Sequence, residues 1–496
     1  MVRTPHIAVI GGGAGGLAAA IDLARAGASV TILERAPTVG GKIRQCHVGA
    51  AGIDAGPTVL TMRWVFDALF DDAGDSLASH LTLHPADILA RHAWNDTESL
   101  DLFADPARSA DAIAAFAGPR EADGFRAFCQ RAQRVYRTLE GPFIRAPRPT
   151  ALSLAAGSGL AEMRGISPFS TLWKALGEHF HDPRLRQLFG RYATYSGSSP
   201  FQSPATLMLI AHVEQQGVWL VQGGMVQLAQ ALGGLATRQG AVVRVNTPVS
   251  EITVSGGRAT GVVLQGGERL AADAVVCNAD CAALATGAFG RAVSGATPKP
   301  RPDQRSLSAV TWALSARTEG FALSRHNVFF SRDYKAEFDD IFRRGQLPAE
   351  PTVYVCAQDR DEPGAQPDGH AERLLVLVNA PPIGDRRHFT QPEIEQCAMR
   401  TFGLLQWCGL TVHRQTGAQA VTTPAGFNTL FPATGGALYG QAVHGSMAAF
   451  RRPGSRSAIP NLYLAGGSVH PGPGVPMAVL SGRLAAASLL QDLTSR

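Results

Sequence analysis

Charge is scarce in this chain. Acidic and basic residues make up 17% of its 496 positions, against roughly 25% in ordinary soluble proteins. The basic residues are scattered, with no stripe and no known binding module, which argues against nucleic acid as a partner. Long hydrophobic runs are missing as well. No uncharged apolar stretch of about 18 residues occurs, so a membrane-spanning helix is not expected. The seven cysteines (Cys46, Cys129, Cys277, Cys281, Cys356, Cys397 and Cys408) are odd in number and include no CxxC pair. That spacing argues against a disulfide framework or a metal site and points to a reducing compartment. The opening residues lack the charged, apolar and small-residue order of a secretory signal. A cytoplasmic location follows as the expectation, with any membrane contact peripheral.

What is present is apolar character and glycine. Hydrophobic residues make up 45% of the chain and the net charge is +5. A mildly basic, weakly charged surface suits an anionic lipid surface, and suits general solubility equally. The length exceeds what one simple core accommodates and predicts two or three domains.

The most informative stretch is the first forty residues. Ile7 to Ile10 reads as a buried strand, Gly11-Gly-Gly13-Ala14-Gly15-Gly16 as a turn into a helix, and Val30 to Leu33 as a second strand ending at Glu34. Each part answers a demand of a bound dinucleotide. Gly11 permits the tight turn, Gly13 lets backbone approach a pyrophosphate, and Gly16 lets the helix pack against the first strand. The helix N-terminus offers N–H groups and a positive dipole end to phosphates. Glu34 stands where a carboxylate can accept from ribose hydroxyls. The segment alone leaves FAD and NAD open.

Farther on, Arg63 to Phe70 has helical apolar spacing. Leu81 to Leu102 alternates in short runs that predict strands. Ser109 to Arg145 predicts helices with Phe116, Phe125, Phe128, Val135 and Tyr136 turned inward, broken at Pro147-Arg-Pro149. Helical spacing resumes over 150–195 through Leu152, Leu154, Phe169, Leu172, Leu176, Phe180, Leu185 and Leu188. Such a block is either a cap over an apolar substrate or plain helical packing. A Gly223-Gly224-Met225 turn opens another helix, followed by strands near 241–246, 249–254 and 259–264 and a buried strand at Ala274 to Cys277. Strand patterns at Ser308–Leu314, Thr352–Cys356 and Leu374–Ala380, with a helix near 392–408, describe a second sheet. Pro298-Lys-Pro300-Arg-Pro302 is the clearest linker.

Near the end, Asn461 to Ala465 reads as a buried strand, then Gly466-Gly467-Ser-Val-His470-Pro-Gly472-Pro-Gly474-Val475-Pro476 leads into an apolar helix. A helix start aims positive dipole at whatever sits there.

Glu34, Arg35, Gly40-Gly41-Lys42 and the later Asp54-Ala-Gly56-Pro57-Thr58 together resemble the FAD-binding amine oxidase and carotenoid desaturase superfamily. With Glu214 to Met225 and His470-Pro-Gly-x-Gly-x-Pro476 added, the chain resembles the bacterial-type phytoene desaturase family over nearly its whole length. Phe189-Gly-Arg191-Tyr-Ala-Thr-Tyr195, Thr58 to Arg63 and Leu464 to His470 look most like its hydroxyneurosporene (1-hydroxycarotenoid 3,4-) desaturases.

The resemblance implies an α/β fold. A Rossmann-like FAD-binding domain would be built from segments 1–85, 220–297 and 436–496. A mixed-sheet substrate domain would take 86–108, 196–219 and 298–435, and a helical cap, the candidate membrane-facing region, 109–195. It implies FAD held by Gly11, Gly13, Ala14, Gly15, Gly16, Glu34, Arg35, Gly41, Lys42, Gly56, Pro57, Thr58, Val249, Gly466, Gly467, Gly474, Val475 and Pro476, with Val249 at the adenine. Lys42 and Arg44 read equally as solvated charges. The helix start near Val475 would face the flavin N1–C2 edge, stabilising charge without a charged side chain.

The implied reaction removes two hydrogens from adjacent carbons of an acyclic carotenoid, with hydride passing to flavin N5 and oxygen or a quinone as the final acceptor. Arg191, His470, His212, Glu214 and Tyr195 are the polar residues that could position a substrate hydroxyl or shuttle a proton, Arg191 and His470 foremost; each reads as readily as structural. Alternatives are a phytoene desaturase or carotenoid isomerase of the same family, an amine or porphyrinogen oxidase, and a non-catalytic prenyl-lipid escort.

Overall fold

A computed structural model describes residues 4–150, 153–154, 169–299, 301–361, 370–415 and 417–495. Leu152, most of 150–168 and Pro300 of the expected linker lie outside the described residues.

A five-stranded parallel sheet runs in the order Leu462–Leu464, Ala274–Cys277, His6–Ile10, Ser29–Leu33, Val242–Arg244. Parallel strands need both faces covered, and alternation along each strand assigns the covers. Ile7, Val9, Val30, Ile32, Ala274 and Val276 face helices Ala14–Arg25, Val226–Arg238 and Val475–Thr494. Ala8, Ile10, Leu33, Val275, Cys277, Leu462 and Leu464 face an antiparallel three-stranded sheet through Ile252, Ala259, Val262 and Leu264. The two chain ends, with 220–297 between them, thus build one layered body.

The second sheet has eight strands. Ser308–Gly320 lies between Leu410–His413 and Glu372–Ala380, also pairs Gln419–Thr422, and the order continues through Val353–Ala357, His326–Phe329, Ile88–Ala93 and Ser99–Phe103. One pairing, His326–Phe329 with Ile88–Ala93, is parallel. Trp312, Leu314, Val353, Val355, Leu374, Val376 and Val378 turn one face to helix Gln391–Trp407. The opposite face carries Val328, Tyr354, Leu375, Leu377 and Asn379, which line a cavity.

Of the expected strands in Leu81 to Leu102, Ile88–Ala93 and Ser99–Phe103 join this sheet. Leu83–Pro85 instead pairs with Trp219–Val221 in a separate ribbon. The helical run beyond Ser109 breaks earlier than the sequence predicts. Helix Pro106–Ala117 ends at Gly118, which takes a left-handed φ of 98°, and Pro119 opens helix Pro119–Leu139. A glycine after one helix and a proline starting the next are matched to those positions. The helical layer closes around Phe125, Phe128, Phe180 and Phe189, with Phe180 and Phe189 ring centroids 4.7 Å apart.

Candidate cofactor and substrate site

Helix Ala14–Arg25 begins at Gly13, which has no side chain to cap the first N–H groups. A Cβ on Gly16 would lie 2.1 Å from the Gly11 carbonyl oxygen, so only glycine fits where the helix leaves the strand. Glu34 is buried beside this turn. Its carboxylate accepts from the Gly12 N–H at 2.7 Å and the Ala36 N–H at 2.8 Å. It therefore shapes the glycine turn. Two residues before Val249, the Thr247 N–H donates to the Glu34 carbonyl at 2.8 Å.

Asn278 ties this turn to the other end of the chain. It follows strand Ala274–Cys277, and its Nδ2 donates to the Gly11 carbonyl at 3.3 Å. A Cβ on Gly13 would come within 2.9 Å of that Nδ2, and one on Gly466 within 2.7 Å of its Oδ1. Gly11, Gly13, Gly15, Gly16 and Gly466 are thereby gathered around one amide. Gly40 donates its N–H to the Gly12 carbonyl at 2.8 Å, bringing the Gly40-Gly41 turn alongside.

The Asp54 to Thr58 segment docks against the second sheet: Ala55 packs with Cys356 and Leu375. Asp54 and Gln358 exchange two hydrogen bonds, Asp54 N–H to Oε1 at 2.9 Å and Nε2 to the Asp54 carbonyl at 2.8 Å. The Asp54 carboxylate accepts from the Met225 N–H, holding the Gly223-Gly224 turn, and burial raises its pKa. A Cβ on Gly56 would lie 1.8 Å from the Lys42 carbonyl oxygen. Across from it, helix Val475–Thr494 begins at Gly474, again a cap without a side chain, with φ 113°. Two helix starts with bare N–H groups and glycine backbone between them fit a dinucleotide cofactor.

Between these segments lies a cavity of about 2550 Å³, counting its open mouth. Gly56, Pro57 and Thr58 border it on one side and Gly474, Val475 and Pro476 on another. Most of the wall is apolar, including Phe143, Ile144, Leu209, Ile210, Val213 and Leu377. A polar cluster interrupts that wall. Tyr192 and Tyr195 each donate a hydroxyl to Glu214 at 2.7 Å, and Arg191 donates to the Tyr195 oxygen. Burial opposes the Arg191 charge, but the facing Tyr195, Glu214 and Tyr192 oxygens outweigh it and its pKa is raised. Nearby, the Tyr354 hydroxyl bonds both Thr58 Oγ1 and His326 Nδ1 at 2.7 Å. Burial, then the Arg325 and Arg191 charges, push His326 down to about 3, so its ring is neutral.

Other residues singled out in the sequence sit elsewhere. His470 does not line the cavity: its Nε2 meets the Phe143 carbonyl at 2.9 Å and its ring stands edge-on to Phe143. Burial lowers its pKa to about 4. His470, expected to position a substrate hydroxyl or shuttle a proton, thus sits behind the Phe143 segment of the wall. His212 packs against Tyr136, with ring centroids 5.2 Å apart. Lys42 is half-buried: its Nζ donates to the Leu438 carbonyl at 2.5 Å and sits over the Phe431 ring. Burial lowers its pKa. Arg35 reaches the Thr429 and Leu430 carbonyls, and Arg44 reaches Cys46 and Thr422.

Two residues escaped sequence reasoning. Asn278 read only as a strand end. Arg452 is buried and donates to the Gly467, Tyr439 and Gln441 carbonyls at 3.0, 3.1 and 2.6 Å, supporting the glycine turn from behind. No motif marks it.

The chain belongs to the flavin-containing amine oxidoreductases, whose family match runs over residues 14–490, and its cofactor is FAD. It shares its fold with wild-type putrescine oxidase bound to putrescine, at 15% identity, a TM-score of 0.61 and full coverage of both chains. Within the family it is 53% identical to the hydroxyneurosporene desaturase of Rubrivivax gelatinosus, over all of this chain and 95% of that one. It is 47% identical to the hydroxyneurosporene desaturase of Cereibacter sphaeroides, over 99% of each.

Proposed function

We propose that this chain is a FAD-dependent carotenoid desaturase that removes two hydrogens from adjacent carbons of an acyclic 1-hydroxylated carotenoid, adding a C3–C4 double bond. One observation carries the reading. A single apolar cavity is bordered both by Gly56-Pro57-Thr58 and by Gly474-Val475-Pro476, the two segments read as the edges of a flavin. The identities of 53% and 47% to hydroxyneurosporene desaturases support the substrate class.

FAD supplies the hydride acceptor. The protein supplies orientation, exclusion of water and the electrostatic setting. Gly11 to Gly16 and Glu34 would hold the dinucleotide end, and the Val475 helix start would present N–H groups and positive dipole to the flavin. The apolar wall receives the polyene, whose transfer from water is favourable by roughly 25 cal/mol per Å² buried. Loss of hydride leaves positive charge spread along the conjugated chain and acidifies the neighbouring C–H, so the site needs no strongly basic side chain. Arg191 is a positioning cation and His470 braces the Phe143 segment of the wall.

The enzyme works from the cytoplasmic side, at the surface of the inner membrane. Among the described residues no helix is long and apolar enough to cross a membrane. Two cavity-lining apolar side chains, Phe169 at 86% and Met447 at 44% exposure, mark a mouth where a lipid-dissolved pigment can enter.

Lipid extracts of cells lacking the protein test the proposal. Accumulation of a 1-hydroxylated carotenoid saturated at C3–C4 is expected. Accumulation of phytoene would assign an earlier desaturation instead, and an unchanged pigment profile would overturn the reading.

A further inference from the structure

We propose that Arg191, Tyr195 and Glu214 form the pocket that receives the substrate's alcohol group, and that this anchorage selects the bond that is oxidised. The inference rests on the desaturase reading above and deepens it.

All three residues line the cavity. Arg191 is 5% and Glu214 4% exposed. Charges in such a place are costly unless paired and hydrogen-bonded. Glu214 is satisfied by the Tyr192 and Tyr195 hydroxyls. Arg191 is only partly satisfied: beyond its bond to Tyr195, its Nε and Nη2 are buried without an acceptor. The hydroxyl of Tyr334, also on the cavity wall, is likewise buried and unpartnered. These atoms lie just beneath the cavity surface, and a hydrocarbon chain filling the cavity would give neither the guanidinium nor the Tyr334 hydroxyl a partner. An alcohol oxygen accepts from Arg191, and its proton can be donated to the Glu214 carboxylate, which keeps lone pairs beyond its two tyrosine bonds.

The location gives the anchorage a chemical consequence. In a 1-hydroxylated carotenoid the alcohol carbon is two bonds from C3. Fixing its oxygen therefore fixes which carbons face the hydride acceptor. The Thr58, Tyr354 and His326 chain runs from beside Gly56-Pro57 to a ring that feels the Arg191 charge, so the alcohol pocket and the proposed flavin edge share one wall. The polyene would then extend from a polar inner end towards the apolar mouth at Phe169 and Met447.

The test compares two substrates in vesicles with FAD-loaded enzyme: a 1-hydroxylated acyclic carotenoid and the same polyene without the hydroxyl. Sites built to bond a hydroxyl reject the analogue lacking it by roughly 10⁴-fold, and a partly satisfied cation predicts a kcat/KM preference of at least ~10²-fold. Tyr195→Phe and Glu214→Gln should cut that preference below ~10-fold. Equal use of both substrates by the wild type, or an unchanged preference in both variants, would overturn the pocket and leave the desaturase reading standing. A wild type inert towards both would overturn the desaturase reading itself. Should a variant lose FAD, inhibition of the wild type by a short saturated prenyl alcohol and by its parent hydrocarbon decides the matter: the alcohol must compete more strongly, and equal inhibition contradicts the pocket.

Discussion

A side chain on Gly482 would begin 2.0 Å from the carbonyl oxygen of Gly15. Helices Ala14–Arg25 and Val475–Thr494, near opposite ends of the chain, therefore touch backbone to backbone. That contact sets the distance between the dinucleotide turn and the Gly466-Gly467 turn, because a Cβ on Gly15 would in turn lie 2.9 Å from the Gly466 nitrogen.

Gly482→Ala should accordingly destabilise the protein by about 1–3 kcal/mol, the range for forcing a methyl group into packed structure, and reduce bound flavin. Thermal melts with flavin quantitation on the purified variant check both. A variant with the parent's Tm and full flavin would mean the helices can separate without consequence.

Glu34→Ala removes the acceptor of the Gly12 and Ala36 N–H groups along with the expected ribose contact. FAD affinity should fall by about 1–3 kcal/mol, as for hydrogen bonds to a charged group. Equilibrium dialysis against FAD measures it. Glu34→Gln should lose less, since its amide oxygen can keep one backbone bond.

Glu337 gives a pH signature. It is buried under the cavity wall, accepting from Thr352 N–H at 3.1 Å and Oγ1 at 2.6 Å and from Asn379 Nδ2 at 3.0 Å. Burial raises its pKa from 4.5 to about 7 despite those bonds. The folded state then holds a proton that the unfolded chain releases at lower pH. Stability contributed by Glu337 should decline as pH rises from about 4.5 to about 7, by about 3 kcal/mol in all. Denaturant melts of the parent and Glu337→Gln across that range should diverge, the parent losing stability relative to the variant as pH rises. Parallel profiles would contradict the assignment.

His470 should give the opposite slope. With its pKa lowered from 6.5 to about 4 by burial, the neutral ring is stable in the fold, and its contribution is lost as pH falls from about 6.5 towards 4. His470→Ala should cost about 1–3 kcal/mol through the Phe143 carbonyl left unpaired. It should retain FAD and leave the preference for hydroxylated substrate unchanged. A collapsed preference would return His470 to the substrate pocket.

Most of the cofactor layer was legible because its determinants are local. A strand, a glycine turn and a helix in succession can be read from Ile7 to Leu23 alone, and the same holds for Leu462 to Leu489. The second sheet's strands showed for the same reason. What escaped depends on contacts between distant segments. Asn278 matters through Gly11 and Gly466, 267 positions before it and 188 after. Lys42 could be named as a cofactor contact, but its approach to the Leu438 carbonyl and the Phe431 ring, nearly 400 positions away, required the fold. Arg191, Tyr195 and Glu214 could each be named from the sequence. That a single hydrogen-bond chain links them, with two guanidinium nitrogens left over, required the fold.

In the proposed enzyme one flavin lies between the two glycine segments with a polyene against it. Anaerobic mixing of the purified, flavin-loaded protein with a 1-hydroxylated acyclic carotenoid, followed by absorbance, tests this most directly. The flavin band should bleach while the carotenoid spectrum shifts to the red, with equal amounts of flavin reduced and double bond formed. A protein that binds no flavin, or one whose flavin stays oxidised while the carotenoid spectrum is unchanged, would contradict it.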